Sequence, residues 1–291
     1  MNNFRIGRSY GMKMIEKKKL VPQVLLQFML GVWAVIQIFP LYWLITFSLK
    51  SNDEIFTSNV IGLPREWLFS NYVIALKDAK VGLYLMNSII VSGSTIALTL
   101  IFALMASYAL NRMRWKLRKA ANTVFMLGLT IPIHASLLPI FLILRSAKLL
   151  NSYFALIIPY TAFAIPIAIL MFSGFMHNIP FEMEESACID GCNIYSFFVR
   201  IMFPLMRPAL ATVTIFTFIT AWNELMFANT FISKQQFKTL TVGIRSMVAD
   251  YGVQWGPIGA GLVIATLPIL IIYLCISRQV QDCLVAGAVK G

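Results

Sequence analysis

Four carboxylates, Glu182, Glu184, Glu185 and Asp190, fall within nine residues of a chain otherwise poor in acids. Negative charge of that density suits docking against another surface, and it stands in a polar island, residues 180–208, between long uncharged runs. One further carboxylate, Glu224, sits inside an apolar run, in Ala221-Trp222-Asn223-Glu224. An acid in such surroundings is costly to desolvate, so it faces a bundle interior, a water-filled path or a partner, or lies at the outer membrane interface. Other chemistries lack their residues. His134 and His177 are isolated from each other, and Cys188, Cys192, Cys275 and Cys283 do not make up a four-ligand zinc set, so no metal site is expected. None of these cysteines lies in a predicted outer loop, so disulfides are not expected either. The chain has no Gly-x-x-x-x-Gly-Lys-Ser/Thr phosphate loop, so hydrolysis of ATP is not expected of it.

The elements that must position these groups follow from local chemistry. Pro180 suits a first helical position, where its missing N–H would be unpaired in any case. Three glutamates follow in the first turns, where the helix dipole favours negative charge, and Gly191 supplies a stop. A second short segment, residues 194–203, is expected to end at Pro204, and Pro208 opens the next apolar run. The island therefore reads as helix, turn, helix.

Glu185-Ser186-Ala187, then Asp190-Gly191, then nine residues before Ile201 and Pro204, resembles the Glu-Ala-Ala loop of the membrane subunits of bacterial ABC importers. The wording around it, including Pro204-Leu-Met-Arg-Pro-Ala-Leu, is most similar to the carbohydrate branch, the MalG-like permeases. The resemblance implies that this loop is a coupling helix seated in a groove of a separate ATPase subunit, through Glu184, Glu185, Ser186, Ala187, Asp190, Gly191 and Pro204. Ser186 stands where the motif usually has its first alanine, and a small serine still permits close docking. Trp222-Asn223-Glu224 resembles a segment of the same permeases, which implies a place beside the translocation path. The ending Gly287-Ala-Val-Lys290-Gly291 also resembles theirs and implies a tail reaching toward the ATPase interface; a frayed tail is the alternative.

Composition points the same way. The 291 residues are 59% hydrophobic and 12% charged, with a mean hydropathy of +0.77, too apolar to bury in a soluble core and suited to a chain that crosses a membrane repeatedly. The net charge of +12 does not indicate nucleic acid, because the lysines and arginines sit at the ends of apolar runs. By the criterion of roughly 20 apolar residues per crossing, residues 20–49, 83–110, 121–144, 153–176, 208–231 and 256–277 are six predicted spans. The first is too long for a signal peptide and has no small-residue cleavage site after it.

Lysines and arginines cluster before the first span, at Arg5, Arg8, Lys13 and residues 17–19, and again after the second, from Arg112 to Lys119. Both ends and the acidic island then lie in the cytoplasm. The expected fold is an all-α membrane protein of six transmembrane helices with a coupling helix between the fourth and fifth. Residues 1–19 form a basic cytoplasmic segment, 20–279 the permease domain and 280–291 a cytoplasmic tail. The outer loop 50–82 is expected to be partly ordered, as a surface loop or a partner contact, and the loop 232–255 to meet a solute-delivery protein or merely to close the helix pair. Prolines at 40, 132, 139, 159, 166 and 268 are candidate kinks.

Tyr160, Phe163 and Trp222 could stack on a sugar ring, with Asn223 and Glu224 beside them, or simply pack against neighbouring helices. The resemblance implies an inner-membrane permease that imports sugars or oligosaccharides. Its partners would be a second permease, an ABC ATPase dimer carrying ATP and Mg, an external solute-binding protein and membrane lipid. No cofactor is expected on this chain. The alternatives are an ABC permease for a polyol or glycerol phosphate, and an ion-coupled secondary carrier using Glu224.

Overall fold

The computed structural model describes residues 3–250 and 254–288, and among them every regular element is helical. Uncharged runs take this form because a backbone in lipid must pair its own N–H and C=O groups. The elements are α1 (Asn3–Ser48), α2 (Val81–Asn111), α3 (Arg118–Gly128), α4 (Ile133–Ser146), α5 (Phe154–Met176), α6 (Glu182–Ile189), α7 (Ile194–Leu205), α8 (Arg207–Asn223), α9 (Met226–Phe231), α10 (Leu240–Asp250) and α11 (Trp255–Ala288). Among the described residues four helices are long and apolar enough to cross a membrane: Gln23–Ser48 within α1, α2, α5 and Trp255–Cys275 within α11. Two bent pairs, α3 with α4 at 93° and α7 with α8 at 71°, raise the number to six if each pair is one span.

The predicted third run, 121–144, is thus not one straight helix. Gly128 lies so close to α5 that a Cβ there would fall 2.9 Å from Pro166 Cγ. Four residues on, Pro132 turns extended with ψ 119°, and a proline disfavours helix in the residue before it. The predicted fifth run, 208–231, divides as well, because Glu224 is extended, with ψ 126°, between α8 and α9. Pro159 and Pro166, by contrast, lie inside an unbroken α5, and Pro268 inside an unbroken α11.

Helix α2 is the central post, packed against α5 and α8. Its buried face runs Ser88, Ser92, Thr95, Thr99, Ala103 and Ser107, small residues at three- and four-residue spacing. In a lipid-soluble bundle such residues let helices approach closely enough for dispersion to hold them. Near the island end, Ser107 and Ser173 meet at 3.2 Å, and Asn111 Nδ2 donates to Ser173 Oγ at 2.8 Å. A cluster including Leu104, Tyr108, Phe172, Met176, Met202 and Met206 fills that end, and clusters around Phe227 and Trp222 fill the other.

The loop expected to be partly ordered, 50–82, is well tied down. Lys50 is 1% exposed, its ammonium donating to the carbonyls of Asn59 at 2.6 Å and Val60 at 3.4 Å. Asn71 Nδ2 donates to the carbonyls of Ser48 and Lys50, and the Ser48 and Tyr72 hydroxyls meet at 2.8 Å. The loop between α9 and α10 is anchored on α2: Asn87 Nδ2 donates to the carbonyls of Gln236 and Lys238, and the Leu240 N–H donates to Ser88 Oγ.

Candidate functional site

The acidic island folds into α6 and α7 at the end of the bundle formed by the last turns of α2 and α5. Helix α6 starts at Glu182, two residues after the proline expected to open it. The reason is an anchor: the Arg112 guanidinium stands 4.6 Å over the Phe181 ring and donates to the carbonyls of Met176 at 2.7 Å and Ile179 at 2.6 Å. One cation thereby closes the C-terminal end of α5, where unpaired carbonyls need donors, and holds Phe181 outside the helix as its cap. Glu182, Glu184 and Glu185 occupy the first turn as expected. The Gly191 stop is also present, with φ +79°. Its N–H donates to the Cys188 carbonyl and that of Cys192 to the Ala187 carbonyl, a Schellman closure.

The carboxylates of the island divide by environment. Tyr108 of α2 donates its hydroxyl to Glu184 Oε1 at 2.6 Å, while Glu184 Oε2 is buried without a hydrogen-bond partner. Ala187 is buried beside it, so this face of α6 belongs to the bundle. Glu182, Glu185, Cys188 and Asp190 are exposed, and Ser186, also exposed, returns its hydroxyl to the Glu182 carbonyl at 2.7 Å. Ile189 is 86% exposed and Tyr195, at the start of α7, 80%. A groove of about 350 Å³ between α6 and α7 is lined by Glu182, Ser186, Asp190, Cys192 and Ile201. Composition alone did not single out Tyr108, Arg112, Ile189 or Tyr195. The readable signal was Asn193, whose side chain accepts from the Ser196 N–H at 2.8 Å and so marks where α7 begins with Ile-Tyr facing outward.

Pro204 does not end the second segment: helical backbone continues through it to Leu205 and bends at Met206. A wide turn over Phe198–Met202 pairs the Phe203 N–H with the Phe198 carbonyl. Pro204 therefore opens the next short turn, where its missing donor is not needed.

At the far end of α8, Glu224 closes the bundle. Its carboxylate turns forward to α9, Oε1 accepting from the Phe227 N–H at 2.8 Å and Oε2 from the Ala228 N–H at 3.1 Å. Tyr160 of α5 donates its hydroxyl to Oε2 at 2.5 Å, and Thr241 donates to the Glu224 carbonyl at 3.0 Å. Glu224 is thus a helix cap that joins α5, α8, α9 and α10. A cavity of about 290 Å³ opens beside it, and its polar lining is Glu224, Tyr160, Thr95, Thr217 and Thr220. Phe163 lines the same cavity and meets Phe227 edge-on at 6.2 Å. Thr95 Oγ1 is buried without a hydrogen-bond partner.

Two expected pathway residues stand elsewhere. Trp222 is buried against Phe218, its indole donating to the Ala265 carbonyl of α11 at 3.2 Å. Asn223 is exposed and donates to the Ile219 carbonyl. The three threonines, missed in the sequence, were legible only as hydroxyls in otherwise apolar runs. Among the described residues no three metal-ligating side chains gather, and Cys188, Cys192 and Cys275 are free. Gly287 lies in the last turns of α11, while Lys290 and Gly291 lie outside the described residues.

Residues 99–282 match the family described as binding-protein-dependent transport system inner membrane component. The sulfoquinovosyl glycerol transport system permease protein SmoH of Agrobacterium fabrum is 34% identical, covering 87% of this chain and 89% of its own. The diacetylchitobiose uptake system permease protein NgcG of Streptomyces coelicolor is 32% identical, covering 90% of this chain and 87% of its own. The fold is that of a chain in a bacterial ABC transporter involved in the import of the acidic polysaccharide alginate, with a TM-score of 0.79 at 23% identity over 90% of this chain and 97% of that one. With its matched segment running from the middle of α2 through the acidic island and Glu224 into α11, the chain belongs to the family of binding-protein-dependent inner-membrane transport components, the permease subunits of ABC transporters.

Proposed function

We propose that this chain is the membrane-spanning subunit of an ATP-driven importer of sugars or oligosaccharides, working with a solute-binding protein. The observation that carries the reading is the pairing of two features at opposite ends of one bundle: a hydroxyl-lined cavity beside Glu224, and an exposed acidic helix, α6, joined to α2 through Tyr108. Hydroxyls, a carboxylate and aromatic rings are the groups that recognise a polyhydroxylated ring. Relatives whose names give diacetylchitobiose and sulfoquinovosyl glycerol as cargo support a glycosidic solute.

In this reading the chain crosses the inner membrane six times, with α3 and α4 as one bent crossing and α8 as the fifth, and both termini are cytoplasmic. Helix α6 is the coupling helix, and Glu185, Ser186, Asp190 and Gly191 face an ATPase subunit, whose ATP and Mg supply the energy. Glu184 and Ala187 hold the helix to the bundle from its other face, Pro204 shapes the exit toward α8, and the Gly287, Lys290 and Gly291 tail reaches the same ATPase. A second permease completes the pathway. Tyr160, Phe163 and Glu224 stand at this chain's side of it, with Trp222 and Asn223 supporting the wall. The three hydrogen bonds already accepted by Glu224 favour a structural carboxylate over the proton-coupling group of a secondary carrier.

Affinity purification from the native membrane tests the reading. The wild-type chain is expected to bring down an ATPase and a second permease, and Gly191→Asp to lose the ATPase while still inserting. A chain that purifies alone and moves solute in vesicles without ATP overturns it.

A further inference from the structure

The first outer loop does not simply project into water. Trp43 Nε1 of α1 donates to the Val60 carbonyl at 3.1 Å, and the Tyr42 hydroxyl to the Ile61 carbonyl at 3.4 Å. Both donors lie more than one helical turn before the end of α1 at Ser48, so the loop descends again alongside the apolar span. Tryptophan and tyrosine at that level mark the boundary between headgroups and acyl chains.

Four carbonyls of the descending stretch are paired within the protein. The Asn59 carbonyl accepts from Lys50 Nζ, that of Val60 from Trp43 and Lys50, that of Ile61 from Tyr42, and that of Leu63 from Asn59 Nδ2. Glu54 Oε1 accepts from the Arg65 N–H at 2.7 Å and from Asn59 Nδ2 at 2.8 Å. Side-chain donors to these carbonyls lower the cost of bringing the loop up against an apolar surface. The run 55–64 is uncharged, and Phe56, Ile61, Leu63, Trp67 and Phe69 are exposed. The apolar stretch of α1 beside them is exposed over residues 23–40, so the two surfaces form one continuous apolar face.

From this geometry we propose that residues 59–63 are an outer-leaflet anchor, with the side chains of Ile61 and Leu63 seated among lipid acyl chains and Lys50 serving as the buried donor that makes the immersion possible. Lipid is the occupant favoured, because the face continues the exposed apolar span of α1 and the aromatic pair sets its depth.

The test uses the whole transporter, purified with its copurifying partners and reconstituted in phosphatidylcholine vesicles. A cysteine-free background carries either Ile61→Cys or Asp53→Cys, each labelled with an environment-sensitive fluorophore. The label at 61 is expected to lose fluorescence to lipid with brominated acyl chains and to resist aqueous iodide, with the reverse at 53. A second variant, Trp43→Phe in the Ile61→Cys background, removes one donor and is expected to shift the label's emission toward that in water. Quenching at 61 by iodide places the loop in water and overturns the proposal, as does shielding from both quenchers, which makes the face a contact with the second permease. Because the readout is lipid contact, it is independent of whether the cargo is a sugar.

Discussion

Tyr108 and Glu184 are joined by a hydrogen bond of 2.6 Å between α2 and α6, across the only polar seam that binds the acidic helix to the described part of the bundle's buried core. The other carboxylate oxygen of Glu184 is buried without a partner, so this is the carboxylate's one hydrogen bond among the described residues. Tyr108→Phe is therefore expected to cost about 1–3 kcal/mol, the usual range for a buried hydrogen bond to a charged group. Hydrogen exchange over residues 182–190 in detergent should quicken, with little change in α5. Unchanged exchange in α6 would mean that Ala187 packing suffices to hold it.

The Gly191 closure gives a second expectation. A Cβ at this position meets nothing within 4 Å, so the cost of a side chain is conformational rather than steric. With φ at +79°, Gly191→Ala should destabilise the end of α6 by about 1–2 kcal/mol, and Gly191→Asn by less, because asparagine tolerates the left-handed region. ATPase recovery in a pull-down should follow the order Gly, Asn, Ala. An alanine variant that recovers as much ATPase as wild type would contradict this.

Glu224 is expected to behave as a cap. Glu224→Gln places an amide NH₂ where donors now converge, and should lower stability by about 1–2 kcal/mol, on the scale of a lost cap. Thermal unfolding in detergent reads that loss, while ATP-driven uptake in vesicles should weaken, because the carboxylate lines the cavity, but not disappear. Normal unfolding with abolished uptake would instead make the carboxylate a transport group.

Acid should loosen the loop 50–82 through Glu54. Burial pushes this carboxyl up, but the Arg65 N–H, the Asn59 amide and the charges of Lys50 and Arg65 outweigh it and hold it below its ordinary 4.5. A group with a depressed folded pKa contributes stability above its unfolded value and loses it as pH falls through the folded one. The amides of Asn59 and Arg65 should therefore lose protection below about pH 4.5, and Glu54→Gln should remove that dependence. Lys50 is shifted down by its burial, against the attraction of Glu54, so it adds no acid-side loss of its own.

The sequence by itself determined the solvent, the helical class and the acidic helix. Long uncharged runs can satisfy their backbones in lipid only as helices, and Glu182, Glu184, Glu185 and Gly191 carry start and stop signals that depend on neighbours within a turn or two. The helix bounds of α6 came within two residues of the expected start for the same reason. Tertiary structure decided what apolarity cannot encode. Gly128 to Pro132 and Glu224 break runs whose hydropathy is continuous, because close approach to Pro166 and capping of α9 are contacts with distant segments. Of the aromatics in the matched spans, Tyr160 and Phe163 reach the cavity and Trp222 turns to Ala265, a choice made by which face of α8 meets α11. The division of the carboxylates is of the same kind: Glu184 and Glu185 are adjacent in the chain, and only the position of Tyr108 makes one an anchor and leaves the other exposed.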